Sequence, residues 1–286
     1  MQPMLGDAER LSKGQAKLVR YGLPNPQFKA ADPKGGRLSM NRVVHKACAW
    51  SGVALLVIMG IGFIGLAGFI PTVGPDEPAA DTYARIIGNR DTIRWGLILT
   101  MIAATLLGPF YAEIAIHMRR IEGRYPVLAL IQLTLGVLLI LEFIYLIFFW
   151  QVATFRTERS PEIIQLLNDM AWIPFVGITS TAVLATFAFA VAILTDRRPS
   201  PVFPRSLGYF NLWVALMFTP GTFNVFFKSG PLAWNGIISW YLPVVVFAIF
   251  LVVNGYFLSK AIDSAIAEED DPRPTNTPST HHSTPV

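Results

Sequence analysis

The chain has 286 residues, of which 53% are hydrophobic and only 15% are charged, whereas about a quarter of the residues of a soluble domain are charged. The net charge of +4 is not gathered in a basic block interleaved with aromatic residues, and this excludes nucleic acid as an expected partner. The single cysteine, Cys48, excludes an intrachain disulfide and a cysteine-rich metal site.

Six apolar runs alternate along the chain with short polar segments. A helix needs about 20 apolar residues to cross the hydrocarbon core of a membrane. The runs that meet this length are 47–70, 95–117, 126–150, 172–194, 206–227 and 233–258. Residues 45–262 are therefore predicted to form an all-α, polytopic bundle of six transmembrane helices, with the lipid bilayer as its partner.

Tryptophans lie close to the ends of these runs, as in the aromatic belts of membrane proteins. They are Trp50, Trp95, Trp150, Trp172 and Trp234. Between the third and fourth runs, Ser160-Pro161-Glu162 has the composition of a helix start. Residues 161–171 are therefore predicted to form a short amphipathic helix on the outer membrane surface. The polar tails, 1–44 and 263–286, are predicted to be mostly disordered because they bury too little apolar surface.

The distribution of Lys and Arg predicts the orientation. The segments on the side of both termini contain 17 of these residues, and the segments on the opposite side contain 6. Because positively charged segments stay in the cytoplasm, both termini are predicted to be cytoplasmic, in a protein of the cell membrane.

Glycines in the first run match a nucleotide-binding pattern by chance. Gly60, Gly62 and Gly65 are spaced as G-x-G-x-x-G, but that fingerprint requires a strand before it and a helix after it. Here the glycines lie within a membrane span. We interpret them, together with Gly68, as positions where a neighbouring helix approaches closely.

Glu113 and His117 are four residues apart and therefore project from one face of the second span. We expect a hydrogen-bonded pair at the membrane interface, where water and headgroups solvate both side chains. With His45, which enters the membrane from the same side, they are also candidates for a metal or haem site. Because bundle metal sites take ligands from several helices, neither a metal nor a cofactor is predicted, and no catalytic residue is assigned.

Glu142 is the only charged residue in 136–150, deep within the third span. Ionisable residues at such depth are expensive and mark functional sites, although a protonated glutamic acid can also join helices by a hydrogen bond. Pro109 has no N–H group to donate to the Thr105 carbonyl. We expect this free carbonyl to lie near Glu142, and leave open whether Glu142 serves function or packing.

A second proline break gives the halves of the chain a common feature. Pro109 and Pro220 each interrupt the middle helix of a three-helix half, and paired breaks of this kind are typical of transport sites in inverted repeats. The loops before the two helices differ in length, which argues against a repeat.

Four polar residues from different spans lie at similar depth near the cytoplasmic face. They are Glu113, Gln132, Asn211 and Asn254. They could line a common inward-facing cavity, or each could lie near the headgroups, where polarity costs little; the second interpretation is slightly favoured.

These features favour a small carrier or pathway protein for a small or lipid-like apolar molecule. The binding residues of this hypothesis are the four polar residues above with His117, Glu142, Thr105, Pro109 and Pro220. The alternatives are a non-catalytic accessory subunit, with a membrane protein or a second copy as its partner, and a membrane-embedded metal or haem enzyme.

Overall fold

A computed structural model describes residues 40–270, in which every regular element is a helix. Most of the two tails predicted to be disordered, 1–44 and 263–286, lies outside the described residues, namely 1–39 and 271–286. The α-helices are α1 Arg42–Met59, α2 Ala79–Gly88, α3 Arg90–Ala104, α4 Leu107–Glu122, α5 Val127–Phe155, α6 Pro161–Gly177, α7 Ser180–Thr195, α8 Arg205–Phe218 and α9 Leu242–Asp270. Three helical segments whose turns are wider or tighter than those of an α-helix adjoin them. They are a π-helix at Gly60–Leu66, a 3-10 helix at Thr219–Phe226 and a second π-helix at Ile237–Tyr241.

Five helical stretches of the described chain are long and apolar enough to cross a membrane, judged by length and composition. They are Arg42–Leu66, Arg90–Glu122, Val127–Phe155, Pro161–Thr195 and Ile237–Asp270. These stretches fit an integral membrane protein with several spans, and each of them overlaps one of the six predicted spans.

The predicted span at 206–227 is not one continuous α-helix. Helix α8 has 14 residues and gives way to the 3-10 helix at Thr219. Since Pro220 has no N–H group, it cannot donate to the Leu216 carbonyl. The Thr219 N–H donates to that carbonyl instead. The helix therefore narrows to the 3-10 form at this point, and the Leu216 carbonyl keeps a hydrogen-bond donor.

Two predicted boundaries differ from the structure. Helix α6 begins at Pro161 and continues through Trp172 to Gly177, so residues 161–171 do not form a separate helix. Helix α9 continues past Ile262 to Asp270, so the first residues of the predicted disordered tail are helical.

The first and last helices run antiparallel. Near the start of α1, the Lys46 ammonium lies 2.9 Å and the Arg42 guanidinium 2.8 Å from the carboxylate of Asp263, close to the end of α9. We call this the histidine end of the bundle, because His45 and His117 also lie there. The opposite end, where Trp150, Trp172 and Trp240 meet, is the tryptophan end.

One glycine of the first run brings two helices into backbone contact. A Cβ atom on Gly62 would lie 2.6 Å from the Gly96 carbonyl oxygen, and a Cβ on Gly96 would lie 2.3 Å from that of Gly62. The first π-helix therefore crosses α3 with no side chain between them. Gly60, Gly65 and Gly68 make no such contact, so the interpretation of close approach is confirmed for Gly62 alone.

Candidate functional site

A buried carboxylate joins two helices at the histidine end. On α4, Glu113 accepts from the Nδ1 of His45 on α1, at 2.8 Å to Oε2 and 3.1 Å to Oε1. One turn further along α4, the Nε2 of His117 lies 3.1 Å from Glu113 Oε1. Only 1% of Glu113 and 0% of His117 is exposed. The expectation that water and headgroups solvate this pair is therefore wrong: α1 and α4 pack here, and the ring of Phe203 lies edge-on to His117.

The partners of His117 fix its tautomer. A guanidinium can only donate, so Arg120, 3.3 Å from Nδ1 of His117, makes that nitrogen an acceptor. The ring proton must then lie on Nε2, from which it is donated to Glu113. Arg120 also contacts Glu268 of α9 at 2.8 Å. Because both ring nitrogens of His117 are engaged, the arrangement does not present this residue as a metal ligand. Within residues 40–270, no cluster of three or more His, Cys, Asp and Glu could hold a metal ion.

The other polar residues of the predicted layer are arranged differently. Asn211 of α8 and Asn254 of α9 donate to each other's side-chain oxygens at 3.1 and 3.3 Å, and both are fully buried. Gln132 of α5 is also buried, and its amide has no hydrogen-bond partner among the described residues. The asparagines therefore join α8 to α9, while Glu113 joins α4 to α1. The interpretation that all four lie near the headgroups is not supported, because all four are buried.

Glu142 pairs with a residue that the sequence did not indicate. The hydroxyl of Thr181 on α7 donates to both carboxylate oxygens of Glu142, at 2.7 and 2.9 Å. The expected contact with a free Thr105 carbonyl is wrong, because that carbonyl accepts from the N–H of Gly108 at 3.0 Å. The chain turns at Thr105 and starts α4 at Leu107, so Pro109 lies in a first helical turn, where no N–H is required.

A cavity of about 370 Å³ lies between the helices at the tryptophan end. Its wall comes from α1, α5, α6, α7, α8 and α9 and is almost entirely apolar. The lining residues include Leu56, Met59, Leu139, Phe143, Val176, Ala182, Val244, Phe247 and Ala248. Its volume lies in the range of small-molecule sites, about 300–1,000 Å³.

Interrupted helices border this cavity on several sides. The lining residues from such segments are Gly60, Phe63 and Ile64 of the first π-helix, Ile178 and Thr179 between α6 and α7, Phe218 at the end of α8, and Ser239 and Trp240 of the second π-helix. Irregular backbone at membrane depth is tolerated where protein buries it or where it lines a cavity. The side-chain amide of Asn224 in the 3-10 helix donates to the Ile173 carbonyl of α6 at 3.1 Å, which satisfies one acceptor near the break.

Aromatic rings form one side of the cavity. Phe63 stacks on Phe175 at 5.4 Å between centroids, and Trp240 lies 5.6 Å from Phe175 and 5.4 Å from Trp172. Trp172 in turn contacts Trp150 at 4.9 Å. Edge-to-face and offset pairs at these distances add to the stability gained from burial. The rings therefore keep their places around the cavity.

The aromatic-belt interpretation is wrong for three of the five tryptophans. Trp150, Trp172 and Trp234 are buried, while Trp50 and Trp95 are exposed. The Trp150 indole donates to Asn168, and the Trp234 indole donates to the Val73 carbonyl. Both tryptophans therefore tie segments of the tryptophan end together rather than facing headgroups.

None of the nine predicted site residues lines the cavity. Glu142 comes closest in sequence, since it directly precedes the lining residue Phe143 of α5. Pro220 follows the lining residue Phe218 after one residue. Glu142 and the helix break at Pro220 were therefore the two features of the sequence nearest to the cavity.

No protein-family model matches this chain, and no curated protein or solved structure matches it. The apolar helices fit an integral membrane protein.

Proposed function

We propose that this protein is a carrier that binds a small or lipid-like apolar molecule in the cavity at the tryptophan end. The cavity carries the proposal: its volume of about 370 Å³ suits a small molecule, and its wall is apolar. Discontinuous helices surround substrate sites in many membrane transporters, and four interrupted helices border this cavity. We propose the break beside Pro220 as a hinge; Pro109, whose helix contributes nothing to the wall, no longer supports one.

Access from the lipid is part of the proposal. The lining residues Ile64 and Ile178 are both among the exposed apolar residues. An apolar molecule dissolved in the bilayer meets these side chains without first entering water. A lateral route between the first π-helix and the α6–α7 break therefore fits an apolar substrate better than a route through either polar end.

We propose six membrane crossings with both termini of the chain in the cytoplasm. The contacts of Arg42 and Lys46 with Asp263 support an even number, because the first helix starts where the last one ends. Helix α8, about 21 Å long, and the 3-10 helix, about 16 Å long, together have the length of a sixth crossing. The ratio of 17 to 6 positive residues supports a cytoplasmic histidine end.

The alternatives have less support. A metal or haem enzyme would need a ligand in place of the hydrogen bonds that occupy both ring nitrogens of His117. An accessory subunit would need an interface with a partner, for which no feature of the described residues argues. The cavity is a specific observation in favour of binding.

Anthracene tests the proposal, because it is an apolar hydrocarbon that accepts excitation energy from tryptophan. Purified protein in maltoside micelles should show saturable energy transfer from the tryptophans to anthracene. Gly60 lines the cavity, and a Cβ atom added there meets no atom within 4 Å. The longer side chain of Gly60→Leu should therefore extend into the site and abolish the saturable component.

Gly65→Leu is the matched control. Gly65 belongs to the same π-helix, faces outward and does not line the cavity. This variant should bind anthracene as the wild type does. Absence of saturable transfer in the wild type, or equal transfer in both leucine variants, would refute the proposed site.

A further inference from the structure

The basic side chains of the tryptophan end are engaged by the protein itself. The ion pairs there are Arg85 with Glu77, Arg90 and Arg94 with Asp91, and Arg156 with Glu158. The Arg159 guanidinium donates to the Val152 carbonyl, and Lys228 interacts electrostatically with Asp169. Each described basic residue of that end therefore has a partner within the chain.

The histidine end is different, because several of its basic side chains have no acidic partner. Four of its cations do pair: Arg42 and Lys46 with Asp263, Arg120 with Glu268, and Arg198 with Asp196. Five more are exposed and form no ion pair with any described residue, and these are Arg119, Arg124, Arg197, Arg205 and Lys260. The acidic tip of α9, Glu269 and Asp270, lies about 14 Å beyond Lys260 along the helix. Free positive charge therefore remains on this surface.

A tyrosine accompanies three of these five cations. The pairs are Lys260 with Tyr256, Arg124 with Tyr125, and Arg205 with Tyr209. In the first two, the charge lies 4.6 and 5.4 Å from the centre of the ring, within the range of a cation–π contact. In the third, Tyr209 follows Arg205 by four residues, so both lie on one face of α8.

The tyrosines indicate the depth of these cations in the membrane. Each of the three tyrosines is at least 47% exposed. Exposed tyrosines near the ends of membrane helices lie at the level of the lipid headgroups. The three cations beside them therefore lie at that level as well, where the phosphate groups of lipids are the nearest anions.

We propose that the histidine end binds anionic phospholipids, whose headgroups pair with Arg124, Arg205 and Lys260. Basic residues at the membrane surface attract lipids that carry a net negative charge. In phosphatidylcholine the choline group balances the phosphate, so this lipid gains much less from the same contacts. A soluble anion would not need its cations beside tyrosines at headgroup depth, and this favours a lipid as the partner. The inference is independent of the cavity and of what the cavity binds.

Spin-labelled lipids test the inference in bilayers of phosphatidylcholine that contain the protein. Phosphatidylglycerol or phosphatidylcholine, each labelled on one acyl chain, is added in trace amounts. The immobilised fraction in the electron paramagnetic resonance spectrum then gives the ratio of their association constants. One basic residue at the surface favours an anionic lipid about fivefold. Because the ratio averages over all lipids around the protein, we expect an overall preference for phosphatidylglycerol of about twofold to threefold, which 1 M NaCl should reduce.

Two triple variants locate the preference. The first combines Arg124→Gln, Arg205→Gln and Lys260→Gln. The matched control combines Arg90→Gln, Arg156→Gln and Lys228→Gln, which removes the same charge from exposed positions of the tryptophan end. All six positions are exposed, so both variants should unfold at nearly the same detergent fraction as the wild type.

We expect the first variant to bind the two lipids equally within about 1.5-fold, and the control to keep most of the wild-type preference, because its cations are already neutralised within the protein. The inference would be overturned by equal association of both lipids with the wild type, by a preference that the first variant retains, or by equal losses in the two variants. The last result would show that net charge, and not this surface, selects the lipid. The anthracene experiment on the cavity is unaffected by any of these outcomes.

Discussion

Replacing Glu113 by alanine should destabilise the bundle strongly. Glu113 is buried and accepts from His45 on α1 and from His117 on its own helix. Without it, both imidazole groups lose their acceptor, and His117 is fully buried while 22% of the His45 side chain is exposed. Leaving a buried hydrogen-bond donor without an acceptor costs about 1–3 kcal/mol. Two donors lose their acceptor here, so we expect Glu113→Ala to lower the unfolding free energy by about 2–5 kcal/mol. Glu113→Gln, which keeps one acceptor oxygen, should lose about 1–3 kcal/mol.

The assay is unfolding by sodium dodecyl sulfate in mixed micelles, followed by tryptophan fluorescence. Glu158→Ala is the control, because its carboxylate lies in the α5–α6 loop and 67% of its side chain is exposed. Substitutions at such positions change the free energy by less than about 0.5 kcal/mol. If Glu113→Ala unfolded at the same detergent fraction as Glu158→Ala, the view that Glu113 joins α1 to α4 would be refuted.

Three further outcomes are expected. Glu142→Gln should keep anthracene binding and folding. Glu142→Leu gives up the hydrogen bond from α7 and should lower the unfolding free energy by about 1 kcal/mol. Loss of transport in Glu142→Gln alone, measured as flux in proteoliposomes, would instead assign Glu142 a role in the mechanism. Gly62→Ala should cost about 1–3 kcal/mol through its clash with α3, whereas Gly65→Ala should cost under about 0.5 kcal/mol by the same unfolding assay. In the α7–α8 loop, hydrogen bonds from Arg198 lower the pKa of Asp196 from 3.8 to about 2. The unfolding free energy that Asp196 adds over Asp196→Asn should therefore be complete above pH 3.8 and disappear as the pH falls through about 2. An acid titration of unfolding measures this difference.

The membrane helices could be predicted because long apolar runs leave few other structures. The spacing of Glu113 and His117 likewise placed them on one helix face. His45 could be placed on the same side of the membrane, but its hydrogen bond with Glu113 could not be predicted, because His45 comes from α1, 68 positions before Glu113 in the chain. The contact of Glu142 with Thr181 was missed for the same reason.

The cavity could not be found from the sequence, and the reason is physical. In a soluble protein, the alternation of polar and apolar residues separates the outer face of a helix from the buried one. In a membrane span the lipid-facing and cavity-facing residues are both apolar. The sequence therefore does not show whether a residue such as Ile64, Phe143 or Val244 faces the lipid or the cavity. The prediction of an aromatic belt was wrong for a related reason. A tryptophan ring near the end of a span can lie at the headgroups or, as Trp172 does, inside the bundle.

The two ends of the bundle differ in how firmly their backbones are held. At the histidine end, regular turns of α1, α4 and α9 are linked by Glu113, Arg120 and Asp263. At the tryptophan end, four helices leave regular geometry around the cavity. Backbone amides in such segments open at lower free energy, so deuterium should enter them first and the histidine end last. A molecule in the cavity would then exchange with the membrane leaflet at the tryptophan end, while the opposite end stays closed.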